Sequence, residues 1–152
     1  MSLKKFEEFI ASGVVRKQPP NRQRALSLTN ESEEKKKFLE ISLKIIPAEE
    51  MNANFIVDYC YDITMELIRA KLFLDGYNAG SSHEAEVAYL RNLGFLESEV
   101  RFMDEIRYYR NGIKYYGVIL DKNYAEKVLE FMQKNYAKLK DPIKNNKRNN
   151  KL

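Results

Sequence analysis

The chain holds one histidine and one cysteine in 152 residues, with only six glycines and four prolines. No apolar run approaches the roughly 20 residues that span a bilayer. Each scarcity excludes something. A lone imidazole, His83, cannot build a histidine-rich zinc site, and a lone thiol, Cys60, cannot close an internal disulfide. Cys60 lies among Tyr59, Tyr61 and Ile63 in an apolar helical pattern, which marks a core position. Gly76 and Gly80 form no dinucleotide fingerprint, and no lysine closes a glycine run as a phosphate loop requires, so neither cofactor nor metal is expected. The start MSLKKFEEF carries no secretory pattern, and a cytoplasmic protein without membrane contact is the expectation.

The net charge of +4 suggests nucleic acid until its location is traced. Lys144, Lys147, Arg148 and Lys151 place four positive charges in the last nine residues, where there is no acid. The remaining bases equal the 22 acids in number, so the body of the chain is neutral. A single domain over residues 1–143 is therefore expected, followed by a basic disordered tail at 144–152 that adds at most weak, salt-sensitive attraction to RNA or DNA.

With 44% hydrophobic residues and few breakers, the chain should consist of long regular elements around one core. Phe6, Phe9 and Ile10 predict a short helix from about Leu3 to Ala11 that Gly13 ends, and the adjacent prolines of GVVRKQPPN predict a connector. A half-exposed helix from about Arg22 to Ile46 should stop at Pro47. Ile56, Cys60, Ile63, Leu67, Ala70 and Leu74 recur at three and four residues, predicting a central helix from about Glu49 to Asp75. Ser81 and Glu84 have capping-box spacing for a helix from about Ser82 to Asn92, in which His83 reads as a local capping residue. Helices over Glu97–Lys114 and Lys122–Leu139 complete the set, the last closed by Pro142. No alternation of period two is long enough for a strand. The expected fold is all-α, an up-and-down antiparallel bundle of about five to six helices.

The late helix carries the chemistry. Counting at helical spacing from Met103 and Ile106, Arg110 falls on the inward face, with Tyr108, Tyr109, Tyr115 and Tyr116 around it. An inward guanidinium needs a partner, because an unpaired buried charge is costly. It is either a structural arginine paired with a carboxylate from another helix, or part of a site for phosphate or nucleotide. Asp62 and Glu66, one turn apart on the central helix, and Arg69 beyond them are expected to pair among themselves, and Asp62 or Glu66 is the candidate partner for Arg110.

Four segments in order resemble the HEPN domains, a family of helical proteins: the opening helix with GVVRKQ, the helix YCYDITMELIRAKLFLDGY, the loop histidine of SSHEAEVAYL, and the ending RYYRNGIKYYG. The resemblance covers most of the chain. It implies a homodimer in which an arginine, a following polar residue and a nearby histidine act on RNA, the arginine by charge stabilisation and the histidine by proton transfer. Arg110 and Asn111 match the start of that motif, but Tyr115, or Tyr116 at one residue longer, stands where the histidine would be. A phenol near pKa 10 exchanges protons at neutral pH far less readily than imidazole near 6.5. The resemblance thus implies a nucleotide- or RNA-binding homodimer with weak or lost ribonuclease activity. Its catalytic set would be Arg110, Asn111 and Tyr115, and its nucleotide-binding set Arg110, Asn111, Lys114 and Tyr116. Two alternatives stay open. The chain could be the toxin or substrate-binding partner of a small nucleotidyltransferase, with Tyr115 or Tyr116 accepting a nucleotidyl group and Tyr116 the closer candidate. Or it could be an active metal-independent ribonuclease in which Tyr115, Lys114 or His83 replaces the histidine.

Overall fold

Helix α3 (Ala53–Leu74) is the pillar of the molecule because apolar side chains surround it on nearly every side, from Ile56 and Val57 through Ile63, Leu67 and Ile68 to Leu72. A helix apolar all round must be covered by neighbours. Helix α2 (Arg22–Ile45) and helix α6 (Lys122–Asn149) pack along it, and α5 (Glu97–Tyr116) and the short α4 (His83–Ala88) close the remaining sides. Helix α1 (Phe6–Ala11) plugs one end by burying Phe6 and Phe9. The computed structural model describes the backbone of residues 2–149 and the side chains of residues 2–144. Among these residues the architecture is an all-α helical bundle of six α-helices, as the periodicity predicts.

Several boundaries differ from the sequence expectation. The central helix begins at Ala53, capped by the Asn52 side chain accepting from the Phe55 amide at 2.9 Å, and residues Ala48–Glu50 form a separate 3-10 turn after Pro47. The fourth helix is capped by Ser82, whose hydroxyl accepts from the Ala85 amide, rather than by Ser81; it gives way at Tyr89 to a 3-10 segment ending at Gly94. Two residue pairs make a minimal ladder, β1 (Arg16–Lys17) antiparallel to β2 (Tyr77–Asn78), in register Arg16 with Asn78 and Lys17 with Tyr77. Gly76 permits it: its φ is +82°, and a Cβ there would stand 2.7 Å from the Gln18 carbonyl oxygen.

Pro142 does not close the last helix, which continues through it to Asn149. Proline deletes one hydrogen bond. Leu139 and Ile143 on either side are both buried, and their packing holds the continuation in place. The tail anticipated at 144–152 thus begins on helical backbone, and its last three residues lie outside the described part.

Candidate functional site

Helix α5 presents three different faces. Val100, Met103 and Ile106 point into the core and are fully buried. Arg107, Arg110 and Lys114 follow one another at three and four residues on the flank toward α3 and α4, while Tyr108, Asn111, Gly112, Tyr115 and Tyr116 form the opposite flank.

On the first flank, the Arg110 guanidinium is met by two carboxylates from α3. Its Nε donates to Asp58 Oδ1 at 3.0 Å, and its Nη2 lies 3.6 Å from Asp62 Oδ1. The group also lies over the Tyr61 ring, 5.1 Å from its centre, and the side chain is 15% exposed. Of the two anticipated carboxylate partners Asp62 is present and Glu66 is not, and the closer one is Asp58. The visible signal was the spacing of Asp58 and Asp62, one helical turn apart. Burial raises the Asp62 carboxyl above its usual range, Asp58 adds to that, and Arg110 opposes it. Lys114, one turn beyond Arg110, acts electrostatically on the same Asp62. Two carboxylates therefore already offset the guanidinium, and an incoming phosphate would compete with them.

The expected mutual pairing of Asp62, Glu66 and Arg69 does not occur. Glu66 is bonded by Lys35 of α2, and Arg69 grips Glu86 of α4 through two hydrogen bonds, with Nη2 to Oε1 at 2.9 Å. Side chains on one helix lose to partners on neighbouring helices because the interhelical carboxylates are buried and need full compensation; Glu86 is 2% exposed.

His83 is the first residue of α4, and its ring makes a tertiary contact rather than a cap: Nδ1 is 3.2 Å from the Tyr61 hydroxyl and 3.5 Å from Glu86 Oε1. Burial lowers the imidazole pKa below its ordinary value; Glu86 opposes this, while Arg69, Arg110 and Arg107 reinforce it. Burial drives the Tyr61 hydroxyl in the opposite direction, above the ordinary phenol value. The Tyr61 hydroxyl and Nδ1 share one hydrogen bond, donated by the phenol when the imidazole proton is on Nε2 and by the ring when it is on Nδ1. Tyr61 stands between Arg110 and His83, so the only imidazole of the chain reaches the guanidinium indirectly. Cys60, pushed up to about 12 by burial, is an inert core thiol.

On the other flank lies an open groove of about 530 Å³, lined by Tyr108, Tyr109, Asn111, Gly112, Tyr115, Tyr116 and Val118. Its floor is built by a close approach. Gly117 adopts φ +67° and turns the chain back, so that the Val118 amide donates to the Gly112 carbonyl at 3.2 Å. Val118 then sits where a Cβ on Gly112 would be, only 2.9 Å from its Cγ2. Asn54 of α3 clamps the returning loop, its amide donating to the Val118 carbonyl and its carbonyl accepting from the Leu120 amide, both at 2.8 Å. Gly112, which as a poor helix former weakens the sequence case for the last turn, is thus what lets α5 run on to Tyr116 with Val118 against it.

The groove walls are unusually bare for tyrosine. Tyr108, Tyr115 and Tyr116 are 70%, 73% and 82% exposed. Tyr109 is braced edge-on against Tyr124, with ring centres 5.2 Å apart. The half-exposed Asn111 carboxamide has no hydrogen-bond partner in the chain among the described residues. The proposed site residues are therefore divided: Asn111, Tyr115 and Tyr116 meet in the groove, whereas Arg110 and Lys114 face α3. Among the described residues no group of three metal-ligating side chains converges, and no helix is long and apolar enough to cross a membrane. No protein-family model, curated protein or solved structure matches the chain.

Proposed function

We propose that the protein is a HEPN-like nucleotide- or RNA-binding homodimer whose ribonuclease activity is weak or lost. The observation that carries this is the open tyrosine groove with its unpaired Asn111, next to an arginine that its own carboxylates neutralise. Exposed aromatic rings are stacking platforms for bases. Weak or lost cleavage is supported by the place of His83, which sits behind Tyr61 rather than beside Arg110, and by Tyr115 at the motif position. A second copy has an apolar stripe to cover: Phe38, Ile41, Ile45 and Phe55 are exposed along neighbouring parts of α2 and α3, with Phe38 and Phe55 both in ring contact with Tyr59. The test is titration of the purified chain with fluorescent single-stranded RNA and labelled nucleotides. Saturable binding that weakens in Tyr115→Ala and Tyr116→Ala is expected; no binding above background by the unaltered protein removes the reading. Metal-independent RNA cleavage abolished by Arg110→Ala would instead restore the active ribonuclease.

One observation favours a second reading, in which a nucleotidyltransferase modifies this chain. Tyr116 has the most exposed ring on α5, leaving its hydroxyl open to attack the α-phosphate of ATP with release of pyrophosphate. A mass increase on Tyr116 after incubation with an active nucleotidyltransferase partner and ATP supports it, and an unchanged mass rejects it.

A further inference from the structure

We infer that the groove on α5 holds its ligand by the nucleobase: a base stacks on a tyrosine ring and pairs along its edge with the carboxamide of Asn111, while the phosphate contributes little. This rests on the reading that the ligand is a nucleotide or single-stranded RNA, and it specifies which part of that ligand is recognised.

The distribution of charge comes first. No lining residue of the groove is charged. Arg110 and Lys114, the two cations of the same helical turns, occupy the flank toward α3, and Arg110 is compensated there by Asp58 and Asp62. A phosphate placed in the groove meets phenols and a carboxamide, a weak substitute for its hydration shell. A base placed there meets what it needs. Tyr108 precedes Asn111 by three residues and Tyr115 follows it by four, so the two rings and the amide occupy successive turns of one helical face. A ring stacked on either tyrosine brings its edge over the turn that carries the carboxamide. That group offers two donors and an acceptor, matching the paired donor and acceptor on a base edge left open in a single strand.

The groove is also prebuilt. Val118 packed onto Gly112, the left-handed Gly117 and the Asn54 clamp fix its floor, so binding orders little besides the exposed phenol rings. Its volume of about 530 Å³ lies in the range of small-molecule sites, roughly 300 to 1,000 Å³. A second protein copy is the competing occupant, but the apolar stripe of α2 and α3 suits that role better than a carboxamide between phenols.

The experiment compares a short fluorescent oligoadenylate with an abasic ribose-phosphate chain of the same length, titrated at several salt concentrations. Quenching of tyrosine emission is a second readout, clean because the chain has no tryptophan. The oligoadenylate should bind about 10-fold or more tighter than the abasic chain, in keeping with the stacking of one base, and its affinity should change little with salt. Asn111→Ala should lower affinity for the oligoadenylate about 5-fold or more and leave the abasic chain unaffected. Equal affinity for both chains with a steep salt slope overturns base recognition and leaves nucleic-acid binding standing. Binding of neither removes this inference together with the reading beneath it. If Tyr115→Ala dissociates a dimer and oligoadenylate binding is unchanged, the groove belongs to a second copy and the inference falls.

Discussion

Arg110 and Asn111 are neighbours in the chain, yet they belong to two regions governed by different physics. The Arg110 flank is dense with mutual compensation: a guanidinium between two carboxylates over Tyr61, whose hydroxyl engages His83, and beside it Arg69 held by a buried Glu86. The Asn111 flank has almost none, only bare phenols around a carboxamide over a floor of glycine and valine. The first region explains how charges are tolerated at the edge of an apolar bundle. The second has surface that the chain itself leaves unused. An arginine can thus serve the fold while its sequence neighbours stand free of it on the surface.

Substitutions on the two flanks should separate these roles. Arg110→Ala leaves Asp58 and Asp62 facing each other without their cation, and should cost about 1–3 kcal/mol of stability in chemical denaturation, after allowance for partial solvent access. A loss below about 0.5 kcal/mol would mean the flank is not structural. Gly112→Ala drives a Cβ against Val118, for which a cost of about 1–2 kcal/mol is expected, reduced by the better helix propensity of alanine. Its sharper signature is proteolytic sensitivity at 117–120; unchanged resistance would show that Val118 moves aside freely. Tyr115→Ala and Tyr116→Ala should change stability by less than about 0.5 kcal/mol, since both rings are exposed. A larger loss would show that the chain uses the groove internally and would erase the contrast.

The smallest effect concerns His83. Its folded pKa lies below the ordinary 6.5. As pH falls through 6.5 toward the folded value, the unfolded chain takes up a proton that the folded chain refuses, so stability declines across that window and is restored above it. His83→Gln should flatten this part of the stability profile. An unchanged profile in that variant would show that His83 does not carry the pH dependence.

The residues differ in how legible these features were. The central helix is readable because its apolar positions recur at three and four residues from Ile56 to Leu74 between charged ones. The pairing of Arg110 with α3 is readable in part: its inward register points to a carboxylate, and of the two candidates Asp62 meets it while Glu66 does not, but the choice of Asp58 for the closer contact depends on the offset between two helices. Glu66 and Arg69 misled because helical spacing makes them neighbours, while the bundle supplied each with a better-placed partner. Pro142 misled because its local cost is real, but buried Leu139 and Ile143 outweigh it.

Taken alone, the order of residues determined the class of fold, the core face of each long helix and the inward register of Arg110, since periodicity, caps and breakers act within a few residues of each other. The tertiary structure decided which charges meet, how Val118 comes to rest on Gly112 and which flank of α5 stays bare. Those outcomes depend on distances between segments far apart in the chain, such as Asn54 and Val118, which only packing around α3 can set.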